Sequence, residues 1–355
     1  VRTVLSVASR ETRPVIFGLE GTTLTAEEGA FFHEIRPWGI ILFARNIETR
    51  AQLRTLTDDL REQSGNTHLP IFIDQEGGRV ARLRPPLVRA YPPARAYTEL
   101  FAQDTETACE AAHLGAMLLA HDLYELGITA NCAPCLDLGL PGMSDVIGDR
   151  AFGDDGESIS QLARAFYEGL RAGGVVPVIK HLPGHGRAKV DSHHALPVVD
   201  TDLGTLEATD FAPFRALSAA LMGMTAHITY SALDDGTVST LSRVVVTDII
   251  RDRIGFDGLL MTDDLSMKAL SGDFAERTDQ ALVAGCDIIL HCNGDRDEMA
   301  AIASALPSTM TGKTAERAAR VEAEIARLSS RADDKARKRW GELIGHVFPE
   351  AHNTV

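Results

Sequence analysis

Four short segments of this 355-residue chain gather side chains that can move protons, hold charge or attack an electrophile. The first is Ile73-Asp74-Gln75-Glu76-Gly77-Gly78-Arg79-Val80-Ala81-Arg82, and the second is Gly148-Asp149-Arg150-Ala151-Phe152-Gly153. The third runs Lys180-His181-Leu182-Pro183-Gly184-His185-Gly186, with Asp191-Ser192-His193-His194 close behind. The fourth is Met261-Thr262-Asp263-Asp264-Leu265-Ser266-Met267. A glycine-rich loop that carries Asp191 beside two histidines can form a carboxylate–imidazole dyad. The carboxylate fixes the tautomer and raises the basicity, so that the ring gives and then takes a proton near neutral pH. A solvated polar loop is the plainer reading, and the residues by themselves leave both His193 and His194 open. In the fourth segment an ionised carboxylate at a strand end can trap a cationic carbon centre. Asp263 and Asp264 point to opposite faces if the strand persists, so they should not share that task. A pair that merely caps the next helix is the alternative.

Such residues need elements to bring them together. Predominantly apolar runs at Val15–Leu19, Gly39–Phe43, Ile71–Asp74, Thr129–Leu138, Val175–Lys180, Leu221–His227, Leu259–Thr262 and Cys286–His291 read as strands covered on both faces. Segments of helical period lie between them. Leu114, Leu118 and Leu123 share one helix face, as do Leu162, Phe166 and Leu170. Asp154–Glu157 marks the start of the second helix and Gly173–Gly174 its stop. Eight strands alternating with helices predict a (β/α)8 barrel, with an open doubly wound sheet as the alternative. The barrel is expected over about residues 14–310 of a single domain spanning 1–355. A helix and tail follow over about 311–355. Residues 313–339, with nine basic and five acidic side chains and Val321, Ile325 and Leu328 at helical spacing, are expected to form an amphipathic helix with a solvated charged face. Seven of the eight strands end in polar residues: Arg45 and Asn46, Asp74 and Glu76, Asp137, Lys180 and His181, His227, Asp263 and Asp264, His291 and Asn293. In a barrel those ends meet on one rim, where active sites of this architecture lie.

Composition narrows the class. Lys+Arg total 35 against 50 Asp+Glu, a formal charge of −15, which argues against a general nucleic-acid or membrane-surface binder. No run of about 18 apolar residues predicts a spanning helix. Thr3, Ser6 and Ser9 interrupt the N-terminus, which lacks the apolar stretch of a secretory signal. The five cysteines are few and odd in number, and Cys132, Cys135 and Cys286 fall inside strand-like runs. Buried free thiols in a reducing cytoplasm fit that pattern better than a redox or metal role for Cys132–Cys135.

Taken together, IDQEGGRVARL, GDRAFG, KHLPGHG with DSH downstream, and TDDLSM in that order resemble bacterial glycoside hydrolase family 3 β-N-acetylhexosaminidases. The likeness is to the single-domain cytoplasmic type that acts in peptidoglycan recycling, and it runs from about Val15 to Asn293. The resemblance implies Asp263 as nucleophile and His193 as proton donor and acceptor assisted by Asp191. Asp74, Arg82, Arg150, Lys180 and His181 would hold a terminal N-acetylglucosamine, with Asp74 accepting from hydroxyls and Arg150 and Lys180 donating. Glu76 would support these from behind, His185 its own loop, and His227 the rim. Arg82 pairing only with an acid, and His181 orienting Lys180, are the plainer roles for those two. The implied reaction is retaining exo-hydrolysis of a muropeptide, GlcNAc-1,6-anhydroMurNAc-peptide, by a monomer that needs no cofactor or metal. An imidazole base is neutral after proton transfer and does not repel phosphate, so phosphorolysis stands beside hydrolysis. Relatives with a second domain draw their acid/base from it, and the short stretch after the eighth strand here favours the histidine-loop type. Two rivals remain: a zinc-dependent barrel hydrolase built on His181, His185, His193 and Asp263, and a barrel that binds sugar without turning it over.

Overall fold

Every expected strand is present in the computed structural model, which describes residues 11–352 apart from 193, 194 and 235. They are β1 (Arg13–Gly18), β2 (Pro37–Leu42), β3 (Ile71–Ile73), β4 (Ala130–Asn131), β5 (Val176–Leu182), β6 (Met222–Thr225), β7 (Leu259–Asp264) and β8 (Ile288–His291). Each pairs in parallel with its sequence neighbours, and β1 pairs with β8, which closes the barrel. The expected (β/α)8 architecture is the observed one, and the open sheet is not.

Strand periodicity explains why these runs are apolar on both faces. Ile16, Ile41, Phe72, Ala130, Val176, Val178, Met222, Met224, Leu259, Met261, Ile288 and Leu290 fill the barrel interior. Their neighbours Val15, Phe17, Ile40, Leu42, Ile71, Ile73, Ile179, Leu260 and Ile289 pack outward under the helices. Helix signals in the sequence hold. Asp155 caps Gly156–Ala172 by accepting from the backbone of Glu157 and Ser158, both at 2.9 Å, and Gly173 ends that helix. No helix among the described residues is long and apolar enough to cross a membrane.

The C-terminal region departs from expectation. Residues 313–339 do not form one helix but parts of two, Gly312–Arg327 and Asp334–Ile344. Between them the chain is captured sideways: Arg331 N donates to Ala172 O at 3.0 Å, and Ser330 Oγ meets His121 Nδ1 at 2.8 Å. Asp333 then starts the second helix by accepting from Ala336 N at 2.7 Å. The first helix is a plug rather than a wall. Its Ala315, Ala318 and Val321 join Trp38 inside the N-terminal end of the barrel. Nor is its charged face wholly solvated, because Arg317 turns inward onto Asp287 at 3.1 Å.

Trp38 is fully buried and donates from Nε1 to Glu322 Oε1 at 2.9 Å, tying the plug to β2. Trp38→Ala should therefore lower unfolding free energy by about 3–5 kcal/mol in urea titration, the usual cost of hollowing an aromatic site. Turnover per folded molecule should be unchanged, since the plug lies at the opposite end from the polar rim. A loss below about 1 kcal/mol would show that the plug is not anchored here.

Candidate active site

The two-residue period that builds the core also selects which rim residues look inward. One step beyond the last interior core residues stand Gly18, Phe43, Asp74, Cys132, Lys180, Asp263 and Cys292. They share the inward parity of Ile16, Ile41, Phe72, Ala130, Val178, Met261 and Leu290 and form the top layer. Gly18 is required there, because a Cβ would run into the carbonyl of Cys292 and the Arg45 guanidinium. Burial drives the thiols of Cys132 and Cys292 well above their usual range. Cys132 feels Asp74, Lys180, Asp263 and Glu76 together, so four charged groups converge over one core atom.

Five of the charged residues form one chain of contacts. Arg82 Nη2 donates to Asp74 Oδ2 at 3.2 Å, and Lys180 Nζ donates to Asp74 Oδ1 and lies 2.8 Å from Glu76 Oε1 as well. Arg150 grips Glu76 with both sides of its fork, Nε to Oε2 at 2.9 Å and Nη2 to Oε1 at 2.8 Å. Burial alone would raise the acids, but Lys180 and Arg82 hold Asp74 below the usual carboxylate range. Arg150 and Lys180 do the same for Glu76. Burial would likewise strip Lys180 of its proton, yet Asp74 and Glu76 hold it above the usual lysine range. All three stay ionised at neutral pH.

Two buried amides, which the sequence reading passed over, hold the loop that carries this set. Asn131 on β4 accepts from Gln75 N at 2.9 Å and donates to Gln75 O at 2.7 Å. The Gln75 side chain in turn accepts from Arg82 N and Leu83 N at 2.8 and 3.0 Å. Asp74, Glu76 and Arg82 are thus spaced by a glutamine that never reaches the rim. An amide inside an apolar strand such as Thr129–Leu138 was the signal available.

Asp137 is a second hub. Its Oδ2 accepts from His181 Nδ1 at 2.6 Å and from Cys135 Sγ at 3.2 Å, and its Oδ1 from His185 N at 2.5 Å. Burial opposes its charge, but the neighbouring His181 and its hydrogen bond hold the carboxyl well below the usual range. Since an ionised carboxylate only accepts, His181 donates through Nδ1 and leaves Nε2 for another partner. Cys135, Asp137 and His181 are also the one group among the described residues whose ligand-type atoms lie within 4.8 Å of each other. The zinc set considered from sequence is arranged differently: His181 turns to Asp137, and His185 Nε2 lies 3.2 Å from Ser192 Oγ.

Asp263 and Asp264 diverge as their parity requires. Asp263 is half-buried at the rim, and its Oδ1 accepts from Asp264 N at 2.8 Å. Asp264 fastens the strand ends instead: Oδ1 accepts from Ser266 N and Cys292 N, at 3.1 and 3.2 Å. His227, kept neutral by burial, lies 3.1 Å through Nε2 from the Asp264 carbonyl and 2.7 Å through Nδ1 from Thr240 Oγ1. His193 lies outside the described residues, and Asp191, half-buried, accepts through its carbonyl from Ala195 N at 3.0 Å. Their loop is held on both sides. Tyr230 Oη donates to Gly184 O, Arg187 meets Asp210 at 2.7 Å, and Val198–Val199 pairs with Thr229–Tyr230.

Residues 26–330 match the family described as glycosyl hydrolase family 3 N terminal domain. A beta-hexosaminidase of Chromobacterium violaceum is 39% identical over 335 residues, 93% of this chain and 90% of the relative. Among solved structures, NagZ from Neisseria gonorrhoeae in complex with N-trifluoroacetyl-D-glucosamine superposes with a TM-score of 0.83 at 31% identity. That match covers 96% of this chain and 99% of the other. A family 3 beta-N-acetylglucosaminidase from Paenibacillus sp. str. FPU-7 gives 0.82 at 30% identity, over 98% of this chain and 69% of that one.

His185 makes the loop sensitive to acid. Burial first, then His181, lowers its pKa from 6.5 to about 4. The unfolded chain therefore binds this proton first as pH falls. The contribution, about 3 kcal/mol, is complete above pH 6.5 and lost as pH drops toward 4. Urea denaturation of His185→Gln across that window should show a shallower fall in stability than the parent. Equal slopes would show that His185 does not carry the dependence.

Proposed function

Because the chain belongs to glycoside hydrolase family 3 and is a β-N-acetylhexosaminidase, we propose that it removes terminal β-linked N-acetylglucosamine from peptidoglycan-derived muropeptides, with retention, as a cytoplasmic monomer. Residues 1–355 act as one catalytic unit in this reading. The observation that carries it is the inward top layer of the barrel. There Asp263 stands with the Arg82–Asp74–Lys180–Glu76–Arg150 chain over a single core thiol.

Asp74, Arg82, Arg150, Lys180 and His181 receive the sugar hydroxyls. Arg82 and Lys180 share Asp74, Arg150 is held by Glu76 and His181 by Asp137, so each sugar-facing group is fixed before a hydroxyl arrives. His193, protonated, donates to the departing glycosidic oxygen while the Asp263 carboxylate attacks the anomeric carbon. The C–O bond to the aglycone breaks as the ester to Asp263 forms. Neutral His193, steadied by Asp191, then takes a proton from water. The water oxygen bonds to the anomeric carbon and Asp263 leaves, so two inversions give net retention.

Asp263→Asn should lower kcat by about 10³-fold or more on both 4-nitrophenyl β-N-acetylglucosaminide and a muropeptide, with no change caused by chelator. His193→Ala should damage muropeptide cleavage more than release of 4-nitrophenolate, because that weakly basic leaving group hardly needs a proton. Steady-state kinetics on both substrates reads these outcomes. Full activity in Asp263→Asn, or activity lost to chelator, would overturn the reading. Cleavage of the aryl glycoside without the muropeptide would overturn the assigned aglycone.

A further inference from the structure

Glu76 takes three contacts from two cations of the charged chain. Its Oε1 meets Lys180 Nζ and Arg150 Nη2, each at 2.8 Å, and its Oε2 takes Arg150 Nε at 2.9 Å. The side chain is 9% exposed, and Lys180 beside it 3%. An ammonium and a forked guanidinium converging on one point are the ordinary protein site for an oxyanion. Here the chain itself supplies that anion. Fully ionised, Arg82, Lys180 and Arg150 carry three positive charges against two on Asp74 and Glu76, and the Asp263 carboxylate brings the top layer to zero.

We propose that Glu76 determines specificity by occupying the oxyanion position between Lys180 and Arg150. The sugar subsite is thereby charge-balanced, and it accepts an uncharged pyranose while refusing sulfated, phosphorylated or uronic counterparts. This rests on the sugar-site reading above. Glu76 is a positioning residue rather than a catalytic one: it touches Lys180 and Arg150 and acts through them. Without its charge the pair becomes a free anion site, because Glu76 is the carboxylate that bridges the Lys180 ammonium and the Arg150 fork. Asp74 is shared with Arg82 and meets Lys180 through one oxygen only.

Glu76→Gln keeps the shape and removes the charge, and inorganic sulfate is the probe. Thermal unfolding is read with sodium sulfate against sodium chloride at matched ionic strength, since a ligand of the folded state raises its melting temperature by mass action. Sulfate should stabilise Glu76→Gln specifically and leave the parent and Glu76→Asp at the chloride value. Kinetics on the aryl glycoside should show competitive inhibition by sulfate about 10-fold tighter, or more, in Glu76→Gln than in the parent. KM should rise more than kcat falls, and Glu76→Asp should recover most of the loss. Glu76→Gln together with Arg150→Gln restores the original charge sum, so sulfate sensitivity should disappear again. If Glu76→Gln does not fold in chloride, it should fold in sulfate, and the double variant should fold in both. Equal sulfate response in parent and Glu76→Gln would overturn the proposal, as would failure of the double variant to fold. The melting shift needs no turnover. A sulfate effect without glycosidase activity would thus support the charge site while rejecting the sugar reading.

Discussion

A lysine ammonium at the mouth of an apolar barrel exists only because two carboxylates meet it there. Lys180 stands directly above Val176 and Val178 on β5, with Cys132 and the core beneath it. Desolvation of such a group costs several kcal/mol unless close partners restore the lost hydration. Asp74 and Glu76 do so at 2.8 Å, and both in turn are ionised only because Lys180, Arg82 and Arg150 face them. Asp74, Glu76 and Lys180 each keep their charge against burial through these neighbours. The loop of residues 74–82, the turn at Gly148–Arg150 and the end of β5 are therefore locked into one arrangement, and the shape of the rim follows from electrostatics rather than from apolar packing.

Register converts that requirement into sequence. With one face of each strand fixed by the core, a charged residue can reach the interior only at the parity of the core residues below it. Asp74 follows Phe72 by two, Lys180 follows Val178 by two, and Asp263 follows Met261 by two. The adjacent residues, Gln75, His181 and Asp264, take supporting contacts: Gln75 on Asn131, His181 on Asp137, Asp264 on Ser266 and Cys292. Each of these inward side chains thus has a chain neighbour that anchors the backbone beside it.

This pairing also explains which parts were legible beforehand. The eight apolar runs, the helix caps at Asp155 and Gly173, and the gathering of strand-end charges depend on local pattern, and local pattern is what a sequence displays. The contacts of Glu76 with two partners far along the chain do not, nor does the Gln75–Asn131 clasp, because both arise from barrel closure. The C-terminal helices were misread for the same reason. Periodicity across residues 313–339 runs on through Ser329–Ser330, whereas the break is made by Ala172 and His121 on other elements. Arg317 and Glu322 belong to the charged pattern of that stretch, yet Arg317 pairs with Asp287 and Glu322 accepts from Trp38.

The division between strand and loop bears on the proposed use of an imidazole in place of a second carboxylate. Asp74 and Glu76 are held by fixed cations and remain ionised, so neither carries an exchangeable proton near neutral pH. A proton carrier has to stand outside that network. The loop proposed to carry it is fastened at Gly184 and Arg187 on one side and at Val198–Val199 on the other. Under that proposal, placing the proton carrier on a loop apart from β3 and β5 lets Asp74, Glu76 and Lys180 stay charged while protons exchange elsewhere.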